Sequence, residues 1–237
     1  MPYIITLLIL LAAYAAGLYF MKYIRNFKLF NLIFIAVVFI PYAWQCLIIY
    51  SDVGFYDWNF QNALPVANVS PFTFATLPFL LVWPKRIREH HFLLISLLSV
   101  GMLLSSIFAC IYNAVIDYKL HFHFLLNYLS HFVISLFGIY LVRTKQVSLT
   151  ARNCLISSGA MLGVATVMVI LNVIFDTSFF GLSFNGKHNI YNNVLVDNSY
   201  LSALIYYFGL CVVLTLGYLL CCAFDKKKLY ISTESKK

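Results

Sequence analysis

Charge is scarce in this chain. Only 10% of its 237 residues are Asp, Glu, Lys or Arg, and just eight of them are acids, where a soluble domain carries about a quarter charged residues. None of the eight acids lies inside a long apolar run. No ionised group is therefore set at mid-membrane depth, which argues against a proton- or ion-coupled carrier working alone. The sequence also lacks a Gly-rich phosphate loop, a Gly-x-Ser-x-Gly elbow, a Cys-x-x-Cys pair and a zincin motif. With them go the most readable signatures of nucleotide binding, α/β-hydrolase chemistry, dithiol exchange and zinc proteolysis. The six cysteines lie within or beside apolar runs, so no disulfide framework is expected. Cys221 and Cys222, just before Asp225-Lys226-Lys227-Lys228, read either as acylation sites at an inner interface or as small packing residues.

What abounds is apolar sequence. At 62% hydrophobic the chain needs a bilayer as solvent, and spans of about 20 residues are the unit to count. Seven runs qualify, at 3–21, 29–50, 63–83, 91–114, 124–142, 153–175 and 200–224. The gaps, none longer than about 25 residues, leave no room for an appended soluble domain. Fourteen of the sixteen Lys and Arg residues fall in alternate gaps: Lys22, Arg25 and Lys28; Lys85, Arg86 and Arg88; Arg143, Lys145 and Arg152; and the C-terminal stretch. The other gaps hold five of the eight acids and only Lys119 and Lys187. Because basic loops stay cytoplasmic, the expected object is an all-α, polytopic membrane helix bundle. It has seven transmembrane helices, with the N-terminus outside and the C-terminus inside. A single helical domain over 1–225 is followed by a short, basic, disordered cytoplasmic tail over 226–237. The net charge of +8 does not point to nucleic acid, since the basic residues line one face as anchors for anionic headgroups. The first run is not expected to be a cleaved signal peptide. No basic residue precedes it, and Lys22, Arg25 and Lys28 follow it, the reverse of a signal peptide's polarity.

Pro65, Pro71 and Pro78 crowd the third run, and Pro41 sits inside the second. Each interior proline removes one backbone bond and frees a carbonyl four residues earlier, which lipid tolerates only where protein or water satisfies it. Span 3 is therefore expected to be kinked, either as an interior helix partly unwound near Asn68 or simply for packing. Gly159-x-x-x-Gly163, Ala12/Ala16 and Ala13/Gly17 predict close helix contacts.

Uncharged polar residues enter the spans unevenly. Asn127, His131 and Ser135 share one face of span 5 at four-residue spacing, as residues one helical turn apart do. Span 4 carries Ser99, Ser106, Cys110 and Asn113, span 6 has Asn172, span 2 has Gln45, and span 3 has Asn62, Asn68, Ser70 and Thr73. With 1.5 Å of rise per residue, His131 and Asn68 lie about 10 Å below the outer end, with Gln45, Asn113 and Asn172 shallower. Such groups either face one another around an outward-opening polar cavity or act as interhelical hydrogen-bond glue. A neutral imidazole at His131 suits a general base, a general acid, a ligand anchor or a structural hydrogen-bonder. His121-x-His123 near Asp117 offers no fixed third and fourth ligand, so no metal site is assigned. His90 and His91 read as interfacial, and the Asn-rich stretch 185–198 as a lid.

At Leu64-Pro65-Val66-Ala67-Asn68-Val69-Ser70-Pro71-Phe72, at Asn127–His131 and in the late 189–201 stretch, the chain resembles the YwaF-like family. These are bacterial multi-pass membrane proteins related to a eukaryotic transmembrane lipid acyltransferase family. The resemblance implies the fold and a bacterial plasma-membrane location. A His-x-Cys pair usual in that family is replaced here by Pro65, Val66 and Ala67. Acyl transfer through a thioester, which needs a thiolate and a nearby base, is therefore not carried over. Asn68 and His131 alone are carried over as site candidates.

The expected function is binding of, or action on, a lipid or amphipathic small molecule in an outward-facing pocket lined by spans 3, 5 and 6. His131 is the candidate catalytic or anchoring group, with Asn68, Asn113, Asn127 and Asn172 orienting the ligand. No cofactor is expected, and membrane lipids or a neutral small molecule are the expected partners. The alternatives are a substrate-binding or uptake subunit of a multi-component transporter, and a structural membrane assembly factor.

Overall fold

The computed structural model describes residues 2–24, 27–50, 69–115, 122–175 and 199–234. Its elements are α1 (Pro2–Phe20), a short 3₁₀ turn (Met21–Tyr23), α2 (Phe27–Tyr50), α3 (Val69–Thr76), a second 3₁₀ segment (Leu77–Leu81), α4 (Lys85–Val115), α5 (Phe122–Arg143), α6 (Ala151–Phe175) and α7 (Ser199–Glu234). There is no strand among the described residues. Five of the helices, α1, α4, α5, α6 and α7, are long and apolar enough to cross a membrane, and α2 and α3 contribute shorter apolar stretches. This is the architecture of a multi-pass helical membrane protein.

Local chemistry explains where the elements start and stop. The amide of Arg88 donates to the carbonyl of Pro84 at 3.1 Å, so α4 begins at Lys85, six residues before the apolar run. A proline just outside a helix costs no bond, because the first-turn donors lack intrahelical partners anyway. Pro78 has the opposite effect. It removes the amide that would bond Phe74, and the backbone tightens into 3₁₀ geometry at Leu77–Leu81, the form that proline strain takes here. The Thr76 hydroxyl, 2.9 Å from the Phe72 carbonyl and 3.0 Å from that of Thr73, ties down the same turn. The expected unwinding near Asn68 lies outside the described residues.

At the end of α5, Lys145 adopts a left-handed conformation, φ 57°. The Gln146 amide donates to Leu141 and the Lys145 amide to Val142, both at 3.0 Å, which completes a Schellman cap. Thr150 then caps α6, its hydroxyl accepting from the Asn153 amide at 3.2 Å, as a threonine N-cap does. α7 runs on through the Lys triplet to Glu234, so the expected disorder of residues 226–234 is not found. No Gly or Pro follows Gly217, and lysine is a good helix former, so nothing breaks the helix.

Cross-helix hydrogen bonds show that the helices alternate in direction. At one end the Arg143 guanidinium donates to the Leu18 carbonyl at 3.1 Å, joining the C-terminal ends of α5 and α1. Asn31 Nδ2 donates to Gln146 Oε1 at 2.7 Å, bringing in the start of α2. His90 Nδ1 lies 3.2 Å from Ser157 Oγ, which joins the starts of α4 and α6. His91 Nε2 is 3.1 Å from Thr76 Oγ1, which adds the end of α3. Cys221, in the second half of α7, reaches the Ser96 carbonyl in the first half of α4 at 3.6 Å. Lys28, Lys85, Arg86, Arg88, Arg143, Lys145 and Arg152 belong to these same ends, so the basic segments gather at one end of the bundle.

α4 is the hub. It packs most extensively on α5, then on α7, and also on α1 and α6. α5 is the most buried of the long helices and α1 the least. Small residues let the hub backbones approach. The Ser96 hydroxyl is 3.0 Å from the Gly138 carbonyl on α5, and a β-carbon on Gly138 would stand 2.9 Å from the Ile95 carbonyl oxygen. By contrast, a β-carbon on Gly159 or Gly163 would meet nothing within 4 Å. Among the described residues the predicted close contact at this pair is therefore absent: those glycines lie on a face of α6 that no other described helix covers. Ala12, Ala13 and Ala16 are exposed as well, and only Gly17 meets a neighbour, the Leu136 side chain of α5. All six cysteines are free thiols, and Cys221 is buried as a packing residue.

Candidate functional site

His131 projects from the middle of α5 and is 7% exposed. Its Nδ1 lies 2.8 Å from the carbonyl oxygen of Asn127, one turn back, and its Nε2 lies 2.7 Å from Ser70 Oγ on α3. The ring edge packs against Phe74 with centroids 5.2 Å apart and planes at 81°, and Phe74 in turn meets Tyr42 of α2 at 6.0 Å. Met102 of α4 closes the group, its Sδ 3.5 Å from Ser70 Oγ. Residues of four helices thus gather around one imidazole, α5 and α3 touching it directly and α2 and α4 through Phe74 and Ser70. Their named contacts are a hydroxyl, a carbonyl, a thioether and aromatic rings, all of them neutral.

These partners fix the tautomer of a neutral ring. A carbonyl oxygen only accepts, so Nδ1 must carry the proton and donate to Asn127. Nε2 is then a lone-pair acceptor, and the Ser70 hydroxyl donates to it. The Met102 sulfur, a weak acceptor, stands beside the hydroxyl as the alternative recipient of that hydrogen.

Helical periodicity assembles the site. His131 reaches its own i−4 carbonyl because side chains on a helix lean back over the preceding turn. On α3, Ser70 and Phe74 are four residues apart and touch the same imidazole. Thr73, Phe74 and Leu77 are buried at 2%, 3% and 1%, so that face points inward.

The sequence candidates fall in different places. Asn127 takes part through its backbone carbonyl. Asn113 donates from Nδ2 to the Tyr128 hydroxyl at 2.6 Å, in a second cluster that contains Tyr3, Tyr14, Cys110 and Phe132. Cys110 is buried in that cluster, and the hydroxyl of Ser70 occupies the place beside His131. Asn172 is 2% exposed on α6, a helix that packs mainly on α4 and α7. Asn68, the 185–198 stretch and His121 lie outside the described residues, as do the side chains of Gln45 and His123. Among the described residues no three His, Cys, Asp or Glu side chains converge as a metal site would require. Ser70, counted among the polar residues of span 3, is the residue that sequence reasoning left out of the site candidates. Its signal was weak: a hydroxyl four residues before an inward aromatic, in the span richest in proline.

A scan against protein families and searches of curated proteins and of solved structures found no match to this chain.

Proposed function

We propose that this chain is a seven-span membrane protein of the YwaF-like kind, with its N-terminus outside. Its polar centre, His131 with Ser70, binds or acts on a lipid or amphipathic small molecule entering from the outer half. The observation that carries this reading is the Ser70–His131 pair. At 2.7 Å it is a neutral, polarised group buried in apolar surroundings, matched to the ester or hydroxyl region of a lipid rather than to an ion. The gathering of basic segments at the opposite end of α5 supports the orientation, by the positive-inside rule. About 13 Å of helix separates His131 from the start of α5 at Phe122, and about 18 Å from Arg143.

A structural role is the second reading. It is favoured by Asn113–Tyr128 and by Tyr14–Ser135 at 3.0 Å, where polar groups satisfy one another across helices. Mass spectrometry of lipids copurified with wild type and His131→Ala, together with thermal unfolding, separates the two. Loss or change of lipid in the variant is the expected result. An unchanged lipid profile would sink the ligand site and leave the structural role.

A further inference from the structure

We propose that Cys154 of α6 and Cys222 of α7 form a reversible disulfide site, closed by exchange with a low-molecular-weight disulfide of the glutathione class. The inference is independent of the His131 site and of what that site binds.

Three of the six free thiols, Cys154, Cys221 and Cys222, gather in one place. Cys154 and Cys221 are buried in the larger core cluster, and Tyr218 packs against it. Cys154 lies within electrostatic reach of both Cys221 and Cys222, and Cys222 meets the Tyr218 hydroxyl one turn back. The register of the two helices agrees. α6 leaves the basic end and α7 returns to it, and the Tyr207 hydroxyl donates to Thr166 Oγ1 at 3.3 Å. Twelve residues before Thr166 is Cys154, and twelve after Tyr207 is Leu219. In an antiparallel pair these positions are level. Cys154 therefore meets the turn of α7 whose one face carries Tyr218, Cys221 and Cys222. The other thiols are placed differently. Cys110 sits in the tyrosine cluster of α1, α4 and α5, Cys46 lies on α2 beside Tyr42, and Cys211 is exposed on α7 three turns before Cys222.

Within the trio, exposure and hydrogen bonding divide the roles. Cys221 is buried, and its thiol is turned to the Ser96 carbonyl of α4. Cys222 is half-buried, so it is the thiol that a small disulfide meets first. Cys154, buried against α7, is the resolving thiol. The Cys222 thiolate attacks one sulfur of the small disulfide, which forms a mixed disulfide and releases one thiolate. The Cys154 thiolate then attacks Cys222 Sγ, and the second small thiolate departs. Two cysteine thiols are oxidised, the small disulfide is reduced to two thiols, and the two protons pass to the released thiolates. A high ratio of thiol to disulfide keeps the pair open, and a falling ratio closes it. The bond would act where the bundle is loosest, since α6 and α7 each pack mainly on α4 and touch each other little.

The test incubates full-length purified protein in detergent with excess glutathione disulfide, blocks remaining thiols with N-ethylmaleimide and maps peptides without reduction. A linked Cys154–Cys222 pair is expected, with the intact mass lower by two hydrogens before blocking and restored by dithiothreitol. The midpoint of thermal unfolding should rise by several degrees, because the bond closes a long loop in the unfolded chain. Cys154→Ser should lose both the link and the rise, and keep a glutathione adduct on Cys222. Wild type that holds an unresolved adduct on Cys222, or that does not react, overturns the proposal. A link between any other pair, Cys221 with Cys222 included, overturns it too. So does a Cys154–Cys222 link that lowers the midpoint, since the bond would then distort the native packing instead of joining neighbours. If the variant fails to fold, the map and the midpoint of wild type alone decide.

Discussion

Gly217 of α7 lies against the backbone of Leu97 on α4 with no room for a β-carbon, which would overlap the Leu97 carbonyl oxygen. The obstacle is backbone on the hub helix rather than a flexible side-chain end, so it cannot move aside without shifting the helix. Gly217→Ala should therefore destabilise the bundle by about 1–3 kcal/mol, the usual cost of overpacking. Gly159→Ala and Gly163→Ala, with open space around them, should be neutral or slightly stabilising, because alanine is the better helix former. Thermal unfolding of the three variants in one detergent checks this. Equal losses at 159 and 217 would remove the α4–α7 contact as the cause.

The contrast between these glycines shows where the sequence is legible. Gly159 and Gly163 carry the recognised spacing and meet no described neighbour, whereas Gly217 carries no pattern and is the most tightly packed of the described glycines. A motif records only one helix, and an interface needs the other. The helices themselves are legible because hydropathy and basic gaps are properties of single segments. The observed ends agree with them except where Pro84 starts α4 early, where the Lys triplet extends α7, and in the third run, whose start lies outside the described residues and whose helix ends at Thr76 in a 3₁₀ segment. The site is half legible. His131 stands out as a lone imidazole in an apolar span, but its partner is 61 positions away. Only folding of α3 onto α5 chooses Ser70 over Cys110 or Asn113. Asn113 had the right residue type and the right depth, and its amide is committed to Tyr128.

The α5 cap gives a stabilising change. Lys145 is exposed and holds φ 57°, a conformation that costs a residue with a β-carbon about 1–2 kcal/mol and glycine almost nothing. Lys145→Gly keeps both Schellman hydrogen bonds. It should raise stability by about 0.5–1 kcal/mol after the extra unfolded-state entropy of glycine is deducted. A rise in the midpoint of denaturant or thermal unfolding is the expected result, and a fall would show that the lysine side chain itself anchors the loop.

Tyr14 and Ser135 join α1 to α5 through hydroxyls 3.0 Å apart. α1 is the least buried long helix, so this bond, the Arg143–Leu18 contact and the Tyr14–Phe132 ring pair at 5.9 Å carry much of its docking. A double-mutant cycle of Tyr14→Phe and Ser135→Ala should return a coupling of about 0.6 kcal/mol, the average for such bonds inside membrane bundles. A coupling near zero would mean that the two hydroxyls are satisfied independently.

Orientation is open to direct measurement. Arg86 follows Pro84 at the end of the bundle where the odd-numbered helices finish and the even-numbered ones start. Asp57 belongs to an acidic gap in the sequence. If the basic end is cytoplasmic, a single cysteine at Asp57→Cys, in a chain with its native cysteines replaced, should react in intact cells with a thiol reagent that cannot cross the membrane. Arg86→Cys should react only after the membrane is opened. The positive-inside rule makes this demanding, because the basic segments between α1 and α2, between α3 and α4, and between α5 and α6 must all be on the same side. Labelling of Arg86→Cys from outside would invert the bundle. The distance from His131 to each helix end would be unchanged, but the proposed site would then open toward the cytoplasm, and the lipid proposed for it would come from the inner leaflet.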